Sequence, residues 1–525
     1  MNSAISRVLP GIGLVALFSW PIAAGAQTQP GTPTLENATI LVIAQTDQLS
    51  PRALPSTPPS EATQDRAPAN HSTRAYPPQA DGHGVKLGGY NKSRWAEDWR
   101  KMRDPANRHD WIDRLKFLPL DAAGDIYVTL SGEMRLRSDF YANPGLVEAP
   151  SRREDLLRLM GGADLHLGPN VRFYGELAHG GIGGDNIGTP AAKSRNALFV
   201  QQAFGEVSGT IGPVVLGARY GRQEFTDGPS LLVSQKDNNT IRSALNGFRG
   251  WVQTDRVRAD IFDFRYTQLG TGGTGDDRSD PATSFSGITA GVVLASHKGR
   301  KLYLDPFAWR ERMDAVRWGK TTARSVRHFY GARLWGDVGR LTLDWTVDRQ
   351  DGDFGGRDIS AWHFSLAQTY ALKVHALSPE IGIHFDYGSG GGSYDGGTIR
   401  GATAPVAGTI SYSYQSVLNI TNLFQIGPNV TIAPIKNISV TTEYLLGWRA
   451  SAADAVYRGN GSAYAGTEKL SGSHVGDSLR AQATWKITPR LSLIGRYEYF
   501  MAGSLLSRVN YTDSQYLAGW VSYRF

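Results

Sequence analysis

From Asp125 to the final residue, apolar and polar side chains take turns with a period of two. Between Asp125 and Arg137, Ile126, Val128, Leu130, Met134 and Leu136 alternate with Tyr127, Thr129, Ser131, Glu133, Arg135 and Arg137. Successive side chains of an extended strand point to opposite faces, so such a ribbon has one oily face and one wet face. Eighteen such segments can be laid along the chain, from Asp125 to Arg137 at the start, through Val171 to His179, Pro213 to Glu224, Ser325 to Gly336, Ser413 to Phe424 and Lys436 to Trp448, to Ser514 to Phe525 at the end. After the first 26 residues no run of 18 or more apolar residues occurs, which excludes a membrane-spanning helix. What remains is a membrane barrel or a secreted β-rich protein such as an adhesin or sandwich.

The connections separate these two. Tight, turn-rich junctions stand at every second position, among them Leu167-Gly168-Pro169-Asn170, Gln253 to Arg256, Ser296 to Gly299 and Ile487-Thr488-Pro489. Between them lie long polar or glycine-rich loops, including Ser138 to Glu154, Thr226 to Asn246, Ser389 to Tyr412 and Arg449 to Val475. Short turns on one side and long loops on the other are the habit of an outer-membrane barrel. The expected fold is therefore all-β: one transmembrane antiparallel up-and-down barrel of about 18 strands over residues 125–525. An even strand number puts both termini on the periplasmic side. The chain ends on Phe525, and Tyr516 to Phe525 resembles the C-terminal signal read by the barrel-assembly machinery of bacterial outer-membrane proteins.

Residues 1–26 read as a secretory signal peptide, with Arg7, an apolar run from Val8 to Ala24 and cleavage after Ala26. Residues 27–92 form a Pro-rich, largely disordered periplasmic segment. Its apolar patch, Ala38 to Ala44, reads as a sticky piece of linker or a coupling peptide. Residues 93–124 supply a short helix and a lead-in at the periplasmic mouth. Ser93 is the expected N-cap, Trp95, Trp99 and Met102 form one stripe, and Pro105 ends it. The chain has no cysteine, so no disulfide frame and no thiolate metal site is available.

Basic charge comes from 42 Arg against 13 Lys. Arg135, Arg137, Arg158, Arg172, Arg327, Arg333, Arg480 and Arg496 fall on the polar faces of their strands, and Arg219 has the same alternation. Glu133, Asp164, Glu176, Asp344, Glu443 and Glu498 share those faces. A guanidinium-rich lumen concentrates anions and grips carboxylates through a two-point fork. The plainer reading is a set of Arg–acid ladders bracing the wall. Gly270 to Gly275 lacks the Lys-Ser/Thr ending of a phosphate loop, and Asp348, Asp351, Asp353 and Asp358 lack the spacing of an EF-hand. Ser471, Ser473 and His474 lack an acid partner for a hydrolase.

Gly221-Arg222-Gln223, the turn to Gly247-Phe248, Glu97-Asp98-Trp99, Met102-Arg103-Asp104-Pro105 and Leu130 to Arg137 together resemble the alginate-export family of outer-membrane porins over roughly Arg94 to Phe525. The resemblance implies an 18-stranded barrel with an arginine-rich constriction that passes an anionic uronate polysaccharide. It makes Arg222 a candidate lumen cation, which a bulge at Gly221 would bring inward beside Arg219. The expected function is a passive outer-membrane channel for an anionic carbohydrate or related organic anion. Alternatives are an uptake porin for small organic acids and a lipid hydrolase carried on a barrel. No catalysis, cofactor, metal or nucleic acid is expected. The expected partners are the anionic substrate, outer-membrane lipid and lipopolysaccharide, and the assembly machinery, with the barrel a monomer.

Overall fold

A computed structural model describes residues 75–77, 86–87, 90–372 and 377–525. The expected signal peptide and most of the Pro-rich segment lie outside the described residues. Eighteen long strands follow: β1 (Ile126–Ala142), β2 (Arg152–Leu167), β3 (Val171–Asp185), β4 (Asn196–Ile211), β5 (Val214–Gln223), β6 (Leu245–Gln253), β7 (Val257–Gln268), β8 (Thr283–His297) and β9 (Arg300–Trp318) make the first half. The second half is β10 (Thr321–Val338), β11 (Leu341–Phe354), β12 (Arg357–Ala371), β13 (Glu380–Gly388), β14 (Leu423–Ile432), β15 (Ile438–Trp448), β16 (His474–Lys486), β17 (Leu491–Ala502) and β18 (Ser514–Arg524). Each pairs antiparallel with the next, and β18 closes on β1 with Leu517 opposite Phe140 and Val521 opposite Leu136.

The two-residue period sets the faces. Along β1, Tyr127, Thr129, Ser131, Glu133, Arg135, Arg137 and Asp139 are buried toward the lumen, while Met134 is 43% exposed on the outside. Its cross-strand neighbour Leu159 is 41% exposed in the same outer row. Outward Leu, Val, Ile and aromatic side chains, including Phe173, Leu177, Ile261, Ile288 and Trp345, cover the wall with the apolar surface that hydrocarbon requires. The last residue completes the seam. The Phe525 amide donates to the Gly132 carbonyl at 3.0 Å, and the Gly132 amide donates back to the Phe525 carbonyl at 2.9 Å. The Phe525 ring lies where a Cβ on residue 132 would stand, 2.5 Å from a ring carbon, so a larger residue there would have to push the ring aside.

Connections on the side of Ile126 and Arg524 are short, such as 168–170, 212–213 and 298–299. On the other side three are long and central here: L3 (224–244), L7 (389–422) and L8 (449–473). The β9–β10 and β11–β12 connections on that side are tight hairpins, because those strands continue well past the barrel rim.

L3 and L7 turn into the barrel. Val233 of L3 and Val406 of L7 form a parallel bridge, with the Ser234 amide donating to Val406 and the Val406 amide to Leu232, both at 3.0 Å. Phe225, Leu232, Val233 and Val406 pack against inward Phe262, Phe264, Phe285, Phe307, Trp309 and Phe329 of β7 to β10. Over β7 to β10 the inner wall is thus in part an aromatic core and not a water-filled surface.

Two expected elements differ. The strand expected at Ser413 to Phe424 belongs to L7, and the strand is β14, Leu423–Ile432. Gly427-Pro428-Asn429 reads as a turn, yet Pro428 pairs with Ile383 and sits where the ladder to β15 is interrupted, so its missing N–H costs nothing there. The apolar residues Tyr412, Val417, Leu418 and Ile420 alternate imperfectly because they fill a loop core with Leu231, Tyr464 and Phe500. The helix expected at Ser93 to Asp104 is instead two 3-10 turns, Arg94–Ala96 and Arg100–Arg103, split by extended Glu97–Asp98. Glu97 accepts from the Asn91 amide and the Trp99 indole, both at 2.8 Å, and this local grip replaces the helical ladder. Ser93 makes no capping bond, and Trp95 and Trp99 enter separate clusters.

The outer row gives a direct test. Leu159→Arg at mid-strand on the outer face is expected to cost about 2–4 kcal/mol in denaturant unfolding from lipid bilayers, the range for a cation near the bilayer midplane. A cost near zero would place that row in water.

Candidate functional site

L3 begins where β5 ends. Phe225 anchors it in the aromatic wall, and Pro229 accepts from the Leu232 and Val233 amides. The tip reverses at Lys236, whose φ is 55°, and the Asn239 amide closes the turn on the Lys236 carbonyl at 2.9 Å. That reversal presents Asp237, Asn238 and Asn239 to the ionic part of the wall.

Four of the arginines expected in the lumen converge on this tip. Arg135 gives one nitrogen to the Asp237 carboxylate at 2.8 Å and another to the Asp237 carbonyl at 2.7 Å. Arg158 reaches the same carboxylate at 2.8 Å, the Asp237 carbonyl at 2.7 Å and the Thr240 carbonyl at 2.7 Å, and also bonds the Asn239 carbonyl. Arg137 and Arg496 donate to the Asn238 side-chain oxygen at 3.0 and 2.9 Å. Arg242, from L3 itself, completes the Asp237 site at 2.6 Å. Burial pushes the Asp237 carboxyl up, but Arg135, Arg242 and Arg158 outweigh it and hold the group well below the usual carboxylate range.

The other expected arginines hold the other inserted pieces. Arg327 donates to Gln350 at 2.7 Å and to the Gly401 carbonyl of L7 at 3.0 Å. Arg480 joins Glu443 at 3.0 Å and the Ile410 carbonyl of L7 at 3.1 Å, with Tyr414 over its guanidinium. Arg172 forks onto Asp164 at 2.8 and 2.7 Å and bonds the Trp95 carbonyl. Arg219 pairs with Glu206 at 2.8 Å and lies 3.8 Å from the Trp95 ring centroid. Arg333 forks onto Asp344 at 2.6 and 2.8 Å within the wall. Arg222 stands apart. The β5 register runs unbroken through Gly221, so by parity it falls on the face opposite Arg219, and it is tied to Asn246 at 2.9 Å and the Val200 carbonyl at 3.0 Å.

Several functional side chains escaped the sequence reading. Arg94 pairs with Glu133, which also accepts from Arg158 at 2.9 Å and Arg524 at 3.1 Å. Arg249 and Arg258 clamp Asp227 and Asp260 in the lumen, and their strands had the alternation that could have revealed them. Arg242 and Asp237 lie in a loop, where no periodicity points to a face. Around the L3 tip seven guanidinium groups, those of Arg94, Arg135, Arg137, Arg158, Arg242, Arg496 and Arg524, face five acids, Glu133, Asp139, Glu176, Asp237 and Glu224, so the cluster still carries excess positive charge. The four aspartates weighed for calcium do not converge, since Asp348 faces inward to His363 and Asp351 bonds His328. In the glycine-rich loop the Gly270 and Gly272 amides are taken by Asp277 and Asp276.

A family model described as alginate export matches residues 126–519, three quarters of the chain. The chain belongs to the alginate export family. This family member has the fold of outer-membrane porins. Among solved structures it is similar to Acinetobacter baumannii OccAB1 at 12% identity and TM-score 0.52, over 79% of this chain and 99% of that one. It is similar also to Pseudomonas aeruginosa OccK2 (OpdF) at 10% identity and 0.50, and to Pseudomonas aeruginosa OpdO at 13% and 0.50, each over 76% of this chain and 97% of the other. At such identities the likeness concerns the fold alone. No curated protein matches it. The alginate-export barrel is an outer-membrane channel protein, as family and fold together require.

One acid of the family member's inserted loop titrates in an accessible range. Glu224, at the base of L3, accepts from Ser93 of the N-terminal segment and from Gln201 at 3.2 Å. Burial pushes its carboxyl up to about 7, against the pull of Arg242 and with help from Glu176. A carboxyl with a raised pKa holds its proton more tightly in the inserted arrangement than in the released one. The seating of L3 is therefore firmest below the ordinary carboxylate value of 4.5 and loosens as pH rises from there to about 7. Lys92, lowered by burial to about 8, acts in the opposite sense only above that pH. Single-channel recordings from about pH 4.5 to about 7 are expected to show open probability rising across the range and levelling off above it. Glu224→Gln should flatten the rise, and an unchanged slope would acquit this carboxyl.

Proposed function

We propose that the protein passes an anionic polysaccharide of the polyuronate class across the outer membrane, passively and without chemistry, by exchanging its own Asp237 for substrate carboxylates. The observation that carries this reading is the convergence of Arg135, Arg158 and Arg242 on one acidic loop tip, beside Arg137 and Arg496. Removing a carboxylate from a buried guanidinium costs about 3–5 kcal/mol, because it leaves a charge unpaired. Replacing it with another carboxylate restores the same pairing and the same desolvation. A uronate can therefore displace the tip at little net cost, whereas a neutral sugar would strand the guanidinium groups. Further arginines along the wall supply sites of similar chemistry, so that a chain can be handed on without being trapped.

The arrangement also supports a periplasmic position for both chain ends, with the long loops outside. Direction of transport follows from the substrate gradient and not from the wall.

Planar-bilayer recordings test the exchange. Asp237→Asn removes the acid that competes with substrate, and mean conductance is expected to rise several-fold while anion selectivity, read from the reversal potential, increases. Micromolar polyuronate is expected to modulate wild-type current more than small organic acids at equal carboxylate concentration. Unchanged conductance in the variant, or a wild-type channel without anion preference, would contradict the proposal.

A further inference from the structure

Beyond the L3 tip lies a cavity of about 800 Å³, within the size range of sites for small ligands. Its walls come from the β9–β10 hairpin, L7 and L8, and Lys236 of L3 contributes to the lining. Three cations, Lys236, Arg317 and Lys320, stand against one acid, Glu468, among the described lining residues. The Lys236 ammonium forms no hydrogen bond or ion pair among the described residues, although its backbone amide is fixed by Ser234 Oγ at 3.0 Å. The nearby carboxylate of Glu311 is already held by the Tyr266 hydroxyl at 2.6 Å.

The neutral polar lining has the same bias toward donors. The Asn419 side-chain oxygen accepts from the Thr421 amide at 2.9 Å, and the Asn460 oxygen accepts from the Ser462 amide at 3.0 Å and hydroxyl at 2.7 Å. Both side chains keep their NH2 groups without a protein partner among the described residues. Against these donors the lining holds one carboxylate oxygen without a partner among the described residues, Oε2 of Glu468, and the balance still favours a ligand rich in acceptors: a carboxylate carried on a hydroxylated ring. The walls are stiff. Trp318 and Tyr457 meet edge to face at 5.8 Å, and the Tyr457 hydroxyl is fixed to Asp454 at 2.7 Å.

We infer that this vestibule is a binding subsite for a uronic-acid unit, with Lys236 Nζ receiving its carboxylate and Asn419 and Asn460 donating to sugar oxygens. The inference rests on the channel reading above and adds a docking point to it. Lys236 directly precedes Asp237, so a polymer seated in the vestibule brings its next carboxylates to the guanidinium groups that hold the L3 tip. Capture at Lys236 and release at Asp237 are then neighbouring events on one turn of chain.

Calorimetric titration of the full-length barrel in detergent with a galacturonate trimer tests the subsite, with maltotriose as the neutral ring of equal length. The trimer is expected to bind, Lys236→Gln to weaken it about tenfold, the worth of one charge-assisted contact, and Lys236→Arg to restore most of the affinity. Maltotriose is expected to bind at least about tenfold more weakly than the trimer. Equal affinity of wild type and Lys236→Gln, equal affinity for maltotriose, failure of Lys236→Arg to restore binding, or no trimer binding to the wild type would each overturn the subsite. Reversal potentials on the same preparations keep the two readings apart. A channel that selects anions but binds the trimer regardless of Lys236 refutes the vestibule alone, whereas loss of anion selection in the wild type refutes the channel reading and the subsite with it.

Discussion

A buried guanidinium must meet a carboxylate or a carbonyl, and the interior of this barrel is arranged around that demand. Alternation along β1, β2, β16 and β17 delivers Arg135, Arg137, Arg158, Arg480 and Arg496 to the inner face. Arg137 and Arg480 meet wall acids, Asp139 and Glu443, but Arg135 and Arg158 share Glu133 with Arg524, and Arg496 bonds the neutral Gln482, so the wall alone leaves some of them short of a counter-charge. The missing partners are brought in by chain that enters the lumen: Asp237 and Asn238 of L3, the carbonyls of L7, and the segment around Arg94 and Trp95. Desolvation makes each such pair all or nothing, because a lone member left inside costs several kcal/mol.

The aromatic patch on β7 to β10 explains why L3 takes one path. Phe225 and Leu232 dock against Phe262, Phe285 and Trp309, and this non-directional contact carries the loop inward without fixing its end. The ionic part of the wall fixes the end. Apolar anchorage near the base and polar anchorage at the tip are the arrangement that the proposed exchange at the tip needs. L7 ties into the same unit through Val406, so movement of one loop is felt by the other.

Much of the fold was legible because period-two alternation is a strong signal when one face meets hydrocarbon. It placed nine of the ten candidate arginines on the lumen side and anticipated the closure of β18 on β1. Arg222 misled because a glycine before it suggested a bulge that the unbroken β5 register does not contain. Ser413 to Phe424 misled because a loop core filled with Tyr412, Val417 and Ile420 is as apolar as a strand face, while Pro428 disguised the true strand. The lumen's contents were not legible. Apart from their bond to each other and that of Arg242 to Glu224, the side chains of Asp237 and Arg242 bond residues more than 75 positions away along the chain, and nothing local marks a loop residue for insertion. Alternation marked the wall cations and their wall acids Glu133, Asp164, Asp344 and Glu443, and left the inserted counter-charge, Asp237, unplaced.

The central claim is that the L3 tip and a substrate carboxylate compete for the same guanidinium groups. Because the chain lacks cysteine, spin labels can be placed at will, one at Asn239 in the tip and one at Ser492 on β17, and their separation read by pulsed electron resonance. The account predicts one narrow distance population without anion and a second, longer one that grows with added oligouronate but not with neutral oligosaccharide. A distribution that stays narrow and unmoved at saturating oligouronate would contradict it.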